Sequence, residues 1–236
     1  MLAAILAALF WYYLYVPAPA ELRLPGEYKS ESLTSAGINR SFSYYLPSTL
    51  QSGASLIFVL HGSTSSGDQV REQTGYEFDR LAQAHQFIPV YANGFENHWN
   101  DCRASADYSA NTENIDDVSF IRQMISTFVE RHNIDPDKVF VTGHSNGGHM
   151  AYKMALEVPQ LVRAIAAISA NLPEAQNLDC EKSGLPVAVA IFNGTEDPVN
   201  PYEGGLVSIF GNTSRGTVLS STDTAKYWAN LAGANT

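Results

Sequence analysis

Residues 143–147 read Gly143-His144-Ser145-Asn146-Gly147, a G-x-S-x-G pentapeptide. A serine hydroxyl is a weak nucleophile at neutral pH. It does chemistry only beside a base, an acid that orients that base, and donors for the oxyanion that forms. The flanking residues supply the setting. Val139 to Thr142 is a short β-branched and aromatic run in the strand from Lys138, and His149 to Leu156 reads as a helix ending near Pro159. A strand that turns sharply into a helix presents the serine at the turn. Glycine on either side avoids collision with the neighbouring strand and helix. The plainer reading is a Gly-rich turn without chemistry.

The other parts can be sought in the same way. In a layout where the acid follows the serine after a later strand, Asp197 of Asn193-Gly194-Thr195-Glu196-Asp197-Pro198 is the expected acid. Glu196 is the alternative, and an ordinary Asp-Pro turn is the plain one. Two backbone N–H groups are expected as oxyanion donors. One is Asn146, at the start of the helix after the serine, where the helix dipole also favours negative charge. The other is Ser63, in the loop Leu60-His61-Gly62-Ser63-Thr64, where Gly62 is expected to take an unusual backbone angle. The base is harder to find. None of the six histidines follows Asp197. His61 lies in the oxyanion loop, His144 inside the pentapeptide, and His149 one helical turn past Ser145. His85 and His132 fall at helix C-termini, where a cation is favourable. His98, in a loop beside Trp99, is the free candidate. The simpler expectation is that the sequence ends before the strand and loop that would carry the histidine. No residue pattern calls for a metal or cofactor, because neither cysteine has a second one nearby.

These residues need elements to hold them. Ser41 to Leu46 and Phe87 to Tyr91 read as strands, and Ser55 to Leu60 is an apolar run of the kind found in a strand covered on both faces. Val70 to Gln86 reads as one helix with Phe78, Leu81 and Ala82 on one side. Asn114 is expected to cap another, with Asp117 three residues on as its capping-box partner. Val118, Ile121, Ile125 and Phe128 then recur at helical spacing. The pair Asp116-Asp117 is thus read as helix-start chemistry. Strands at Val162 to Ser169 and Pro186 to Phe192, and a helix near Thr222 to Leu231, complete the alternation. Alternating apolar strands and helices predict an α/β fold, a mostly parallel sheet flanked by helices. With a serine elbow on it, this is the α/β-hydrolase arrangement, ending before its last strand and histidine loop.

Composition sets the frame. The chain has 236 residues, 45% hydrophobic and 11% aromatic, enough for one sizeable domain, here residues 21–236. A formal net charge of −10 argues against nucleic acid and anionic membranes as partners. Residues 1–20 are set apart. MLAAILAALFWYYLYV is almost wholly apolar, and Ala18 and Ala20 fit the pattern before a signal-peptidase cut. As a helix the run spans roughly 24 Å, against a hydrocarbon core of about 30 Å. It is read as a signal peptide or a short membrane anchor, a buried helix being the alternative, and the protein as secreted or periplasmic. Cys102 and Cys180 suit that compartment and are expected to pair, two free thiols being the alternative.

Several segments together resemble one family. They are Arg40-Ser41-Phe42-Ser43-Tyr44-Tyr45-Leu46-Pro47, Leu60-His61-Gly62-Ser63, Trp99-Asn100-Asp101, Asn114-Ile115-Asp116-Asp117-Val118, Gly143-His144-Ser145-Asn146-Gly147-Gly148 and the run from Gly194 to Gly205. The chain is similar to the exported polyhydroxybutyrate-depolymerase-like and feruloyl esterases of the α/β-hydrolase superfamily. The resemblance implies Ser145 as nucleophile, Asp197 as acid, and Ser63 and Asn146 as oxyanion donors. It also implies a Gly-Gly-His-Thr-type loop, which has no counterpart here, and cysteines near positions 102 and 180. The implied activity is hydrolysis of carboxylic esters through an acyl-enzyme. Feruloyl or acetyl esters on polysaccharide, or short hydroxyalkanoate esters, are the expected substrates, with Trp99 and Tyr202 as candidate lining residues, buried structural aromatics being the equal alternative. A non-catalytic surface binding protein on a hydrolase scaffold and a serine peptidase are the alternatives.

Overall fold

The computed structural model describes residues 19–234, so the apolar N-terminal run, and with it the reading of a signal peptide or anchor, lies outside the described residues. A seven-stranded sheet forms the centre, with spatial order β1-β2-β4-β3-β5-β6-β7. β1 (Glu27–Ser35) and β2 (Ile38–Leu46) pair antiparallel, and β2 pairs antiparallel with β4 (Phe87–Ala92). β3 (Ser55–Leu60), β5 (Val139–His144), β6 (Ala164–Ile168) and β7 (Ala188–Phe192) continue from β4 in parallel. The expected mostly parallel sheet is present.

β3 shows why the apolar run reads as it does. Leu56, Phe58 and Leu60 face the main core, while Val59 turns the other way onto Val70 and Tyr91. A strand covered on both faces has no solvent side to fill with polar residues. On the main-core face, helices α4 (Asp117–His132) and α5 (Asn146–Glu157) contribute Phe120, Met124, Phe128, Met150 and Met154, all buried. The second cluster holds Val70, from α1 (Gly67–Gln73), with Phe78, from α2 (Glu77–His85), packed against it. A short helix, α3 (Ser109–Thr112), a two-stranded ribbon of β8 (Gly205–Leu206) and β9 (Thr217–Val218), α6 (Ser221–Leu231) and two 3-10 turns, Pro159–Leu161 and Ala175–Asn177, complete the described elements.

Three local expectations need correction. The segment from Val70 to Gln86 is two helices, because Gly75 and Tyr76 both take left-handed backbone angles, at φ 65° and 58°. The Thr74 hydroxyl closes α1 by donating to the carbonyls of Val70 and Arg71. The cap of α4 is Asp116, whose carboxylate accepts from the Ser119 N–H at 2.8 Å. Asn114 instead turns left-handed at φ 49° and accepts from the Asn100 amide. Asp117 is therefore free of capping work. It is buried against Arg40 at 2.6 Å and accepts the Asn100 N–H at 2.7 Å. β1 had no expected counterpart.

Cys102 and Cys180 form a disulfide, with a Cα–Cα distance of 5.0 Å and a sequence separation of 78. It joins the segment after β4 to the segment before β7, and two backbone bonds reinforce the join, Ala104 N–H to Asn177 and Asp179 N–H to Cys102. Closing a loop of this length contributes about 4 kcal/mol on the chain-entropy model. The Cys102→Ala/Cys180→Ala double variant should therefore lose a stability of that order in urea denaturation. A loss below about 1 kcal/mol would show that the bridge ties nothing together.

Candidate active site

β5 delivers Ser145 and α5 begins directly after it. Ser145 sits at φ 52° and ψ −116°, a conformation seldom adopted by a residue with a side chain. Its N–H donates to the Ile168 carbonyl at 2.8 Å, and its carbonyl accepts the His149 N–H at 2.9 Å. The two flanking glycines are needed for space. A Cβ at Gly143 would run into the Gly147 carbonyl, and a Cβ at Gly147 into the carbonyls of Leu60 and His61. The turn is thus pressed directly onto the end of β3, where the loop carrying Ser63 begins.

That loop runs alongside the elbow. Gly62 is not in the left-handed region, contrary to expectation, and Thr64 is, at φ 60°. What Gly62 avoids is crowding, since a Cβ there would lie 3.2 Å from His144 Nδ1 and 3.6 Å from Ser145 Cβ. Thr64 N–H is used by the Asn97 carbonyl, whereas no backbone carbonyl takes the Ser63 N–H among the described residues. Asn146 is the first residue of α5, so its N–H has no intrahelical partner.

Ser63, Ser145 and Asp197 line one cavity of about 370 Å³. Asp197 is half-buried just past β7, and its Oδ1 accepts the N–H groups of Val199 at 2.8 Å and Asn200 at 2.9 Å. Asn193 anchors the start of this loop. Its amide donates to Asn171 and Ser221, and its carbonyl oxygen accepts the Ala170 N–H.

Beneath the elbow lies a polar network that the sequence did not announce. The Asn146 side chain accepts the Trp99 N–H at 2.8 Å and donates to Asp101 at 2.7 Å. Asp101 is fully buried and also accepts from Arg103 at 2.6 Å and from the Tyr108 hydroxyl at 2.7 Å. Burial alone would raise its carboxyl, but the Arg103 charge and these hydrogen bonds hold it well below the usual carboxylate range.

Trp99 belongs to this support and is not a lining residue. It is fully buried, with its indole N–H on the His61 carbonyl at 3.0 Å. Tyr202 lines a neighbouring groove with Asn193 and Ser221 and does not reach the Ser145 cavity. Asn200 and Arg215 do line that cavity, and neither was anticipated. The available signal was slight, since Arg215 is merely the one cation between Lys182 and Lys226.

The histidines are otherwise engaged. His61 accepts the Gly94 N–H on Nε2, which leaves the proton on Nδ1 to donate to the Gly62 carbonyl. Burial pushes its pKa down to about 4. His98 bonds to the Glu96 carbonyl and stacks on Tyr108, with ring centroids 4.7 Å apart. His149 is buried beside Asp101 and Arg103, and burial, with the Arg103 charge, pushes its pKa down to about 3. His85 and His132 end α2 and α4. Only His144 lines the cavity, and no histidine bonds to Ser145 among the described residues. Nor do the described residues include a cluster of three or more His, Cys, Asp or Glu able to hold a metal.

Residues 48–208 match the family model of phospholipases and carboxylesterases, over more than half of the chain. The chain belongs to that family. Among curated relatives, a putative esterase NocK of Nocardia uniformis subsp. tsuyamanensis is 28% identical over 66% of this chain and 43% of its own length. A probable feruloyl esterase C of Aspergillus niger is 29% identical over 64% of this chain and 52% of its own. The chain spans about half the length, or less, of such relatives. An acetyl xylan esterase structure from Aspergillus awamori overlays with a TM-score of 0.57 at 20% identity, covering 87% of this chain and 80% of that one. The fold is that of the α/β-hydrolases.

The buried histidines of this carboxylesterase-family chain make its stability pH-dependent. His149 is neutral when folded and binds a proton when unfolded below its ordinary value of 6.5, so folding weakens as pH falls from about 6.5 towards 3. His61 acts in the same direction down to about 4. His149→Asn should lower the slope of unfolding free energy against pH, between pH 6 and 4.5, by about one proton's worth, roughly 1.4 kcal/mol per pH unit. Equal slopes in urea titrations of the two proteins would contradict this.

Proposed function

We propose that the protein is a serine esterase that hydrolyses carboxylic esters through an acyl-enzyme. The observation that carries the reading is a single cavity lined by Ser145, in its strained turn, together with Ser63 and Asp197. Ser145 attacks the ester carbonyl. The N–H groups of Ser63 and Asn146 stabilise the oxyanion, and Asp197 orients the base and offsets its charge. Asn146 opens α5, and Ser63 lies in the loop that runs alongside the elbow.

Substrates on this reading are feruloyl or acetyl esters of polysaccharide, or short hydroxyalkanoate esters. The esterases among the relatives support this class. The disulfide supports an exported protein, with residues 1–20 as signal peptide or anchor. One observation favours a second reading, that of a non-catalytic binding protein: no histidine meets Ser145 among the described residues.

The base is therefore the part to supply from outside. Imidazole fits a cavity of about 370 Å³ and can accept the Ser145 proton beside Asp197. Hydrolysis of p-nitrophenyl acetate by the 236-residue chain should rise with imidazole and level off, and Ser145→Ala should abolish the saturable part. A linear imidazole dependence, equal in wild type and Ser145→Ala, would favour the binding protein. A Ser145-dependent rate without imidazole would assign the base to His144.

A further inference from the structure

Two buried side chains that line the Ser145 cavity carry unpaired polar atoms. Arg215 is 8% exposed, its Nε has no hydrogen bond, and no carboxylate lies within ion-pair distance of it among the described residues. Its Nη1 reaches only the Ser214 hydroxyl, at 3.3 Å. Asn200 is 3% exposed, and neither its amide oxygen nor its amide nitrogen is bonded. Buried polar groups are normally satisfied, and a desolvated guanidinium without a counter-charge is among the costlier exceptions. Both residues line the cavity that holds the nucleophile.

The neighbours hold Arg215 where it is. Its carbonyl accepts from the Asn177 amide at 2.9 Å, and Ser214 beside it donates to Asp107 at 2.7 Å. The guanidinium carbon lies 5.8 Å from the Tyr108 ring centroid. Asn200 is fixed through its N–H to Asp197. A planar fork of N–H donors beside a primary amide suits a carboxylate, which takes two parallel N–H bonds from arginine and further bonds from an amide.

We propose that Arg215 and Asn200 form a carboxylate-recognition subsite next to Ser145, so that the preferred substrates are esters bearing a second, free carboxylate. This deepens the esterase reading and rests on it. A hydroxy-acid oligomer with a free acid end, or an ester close to a uronic acid, has that chemistry. A neutral acetylated sugar lacks it.

Binding tests the subsite without catalysis. Calorimetry on the Ser145→Ala protein should detect monomethyl succinate, which carries a carboxylate, and not dimethyl succinate. Arg215→Gln in that background should weaken binding of the monoester at least tenfold. If the Gln variant does not fold, Arg215→Lys keeps the charge but loses the fork and should still weaken binding several-fold. Equal affinity for the two esters, or an unchanged affinity in the arginine variant, overturns the proposal. In the imidazole-assisted assay, the kcat/KM ratio of p-nitrophenyl hemisuccinate to p-nitrophenyl butyrate should fall at least tenfold in Arg215→Gln. Ser145-dependent hydrolysis of both esters with no change in ratio sinks the subsite alone. No Ser145-dependent hydrolysis of either ester sinks the esterase reading, and the binding result still decides the subsite.

Discussion

The Asp101 carboxylate, wholly buried and negatively charged, is the constraint on which the site depends. A charge removed from water is tolerated only where partners surround it, and here Arg103, Tyr108 and the Asn146 amide do so. Those three partners come from different places. Arg103 and Tyr108 follow β4, while Asn146 opens α5. Satisfying one carboxylate therefore fixes the start of α5 relative to the loop beyond β4. Removing one member of such a set typically costs about 3–5 kcal/mol, because the others are left uncompensated. The disulfide at Cys102 adds a covalent tie to the same loop.

The strain at Ser145 becomes intelligible from below. A serine at φ 52° and ψ −116° costs on the order of 1–3 kcal/mol and persists only where its surroundings determine it. The surroundings are the Ile168 carbonyl on one side, the close approach of Gly147 to β3 on the other, and the Asn146 side chain held from beneath. The backbone N–H of Asn146, at the first position of α5, has no intrahelical acceptor, while its side chain does the anchoring. One residue thus serves in two ways. Its main chain starts α5 with an N–H free of the helix ladder, and its amide ties that start to Trp99 and Asp101.

Much of this was legible in the sequence, for reasons that differ by residue. β3 showed as an apolar run because both of its faces are covered, and the elbow showed because its two glycines answer a steric demand that no other residue meets. β1 did not show, since an edge strand that alternates exposed and half-buried residues, as Glu27–Ser35 does, has no apolar run to display. The sequence leaves Trp99 open because an aromatic beside a site can line it or support it, and only its burial and the indole bond to His61 decide. The helix from Val70 was broken by left-handed residues at Gly75 and Tyr76, where periodicity continued through the break. Arg215 lies 70 positions along the chain from Ser145, and no local pattern announces a meeting of that kind.

The central proposal is geometric: the N–H groups of Asn146, whose side chain the buried carboxylate holds, and of Ser63 bind the oxygen of a group bonded to Ser145. A crystal structure of the protein after prolonged reaction with a p-nitrophenyl phosphonate tests it most directly. The expected result is a phosphonyl group on Ser145 Oγ, with its unesterified oxygen within about 3.1 Å of both N–H groups. An adduct whose oxygen points to solvent, or a phosphonyl group on another residue, would contradict the account.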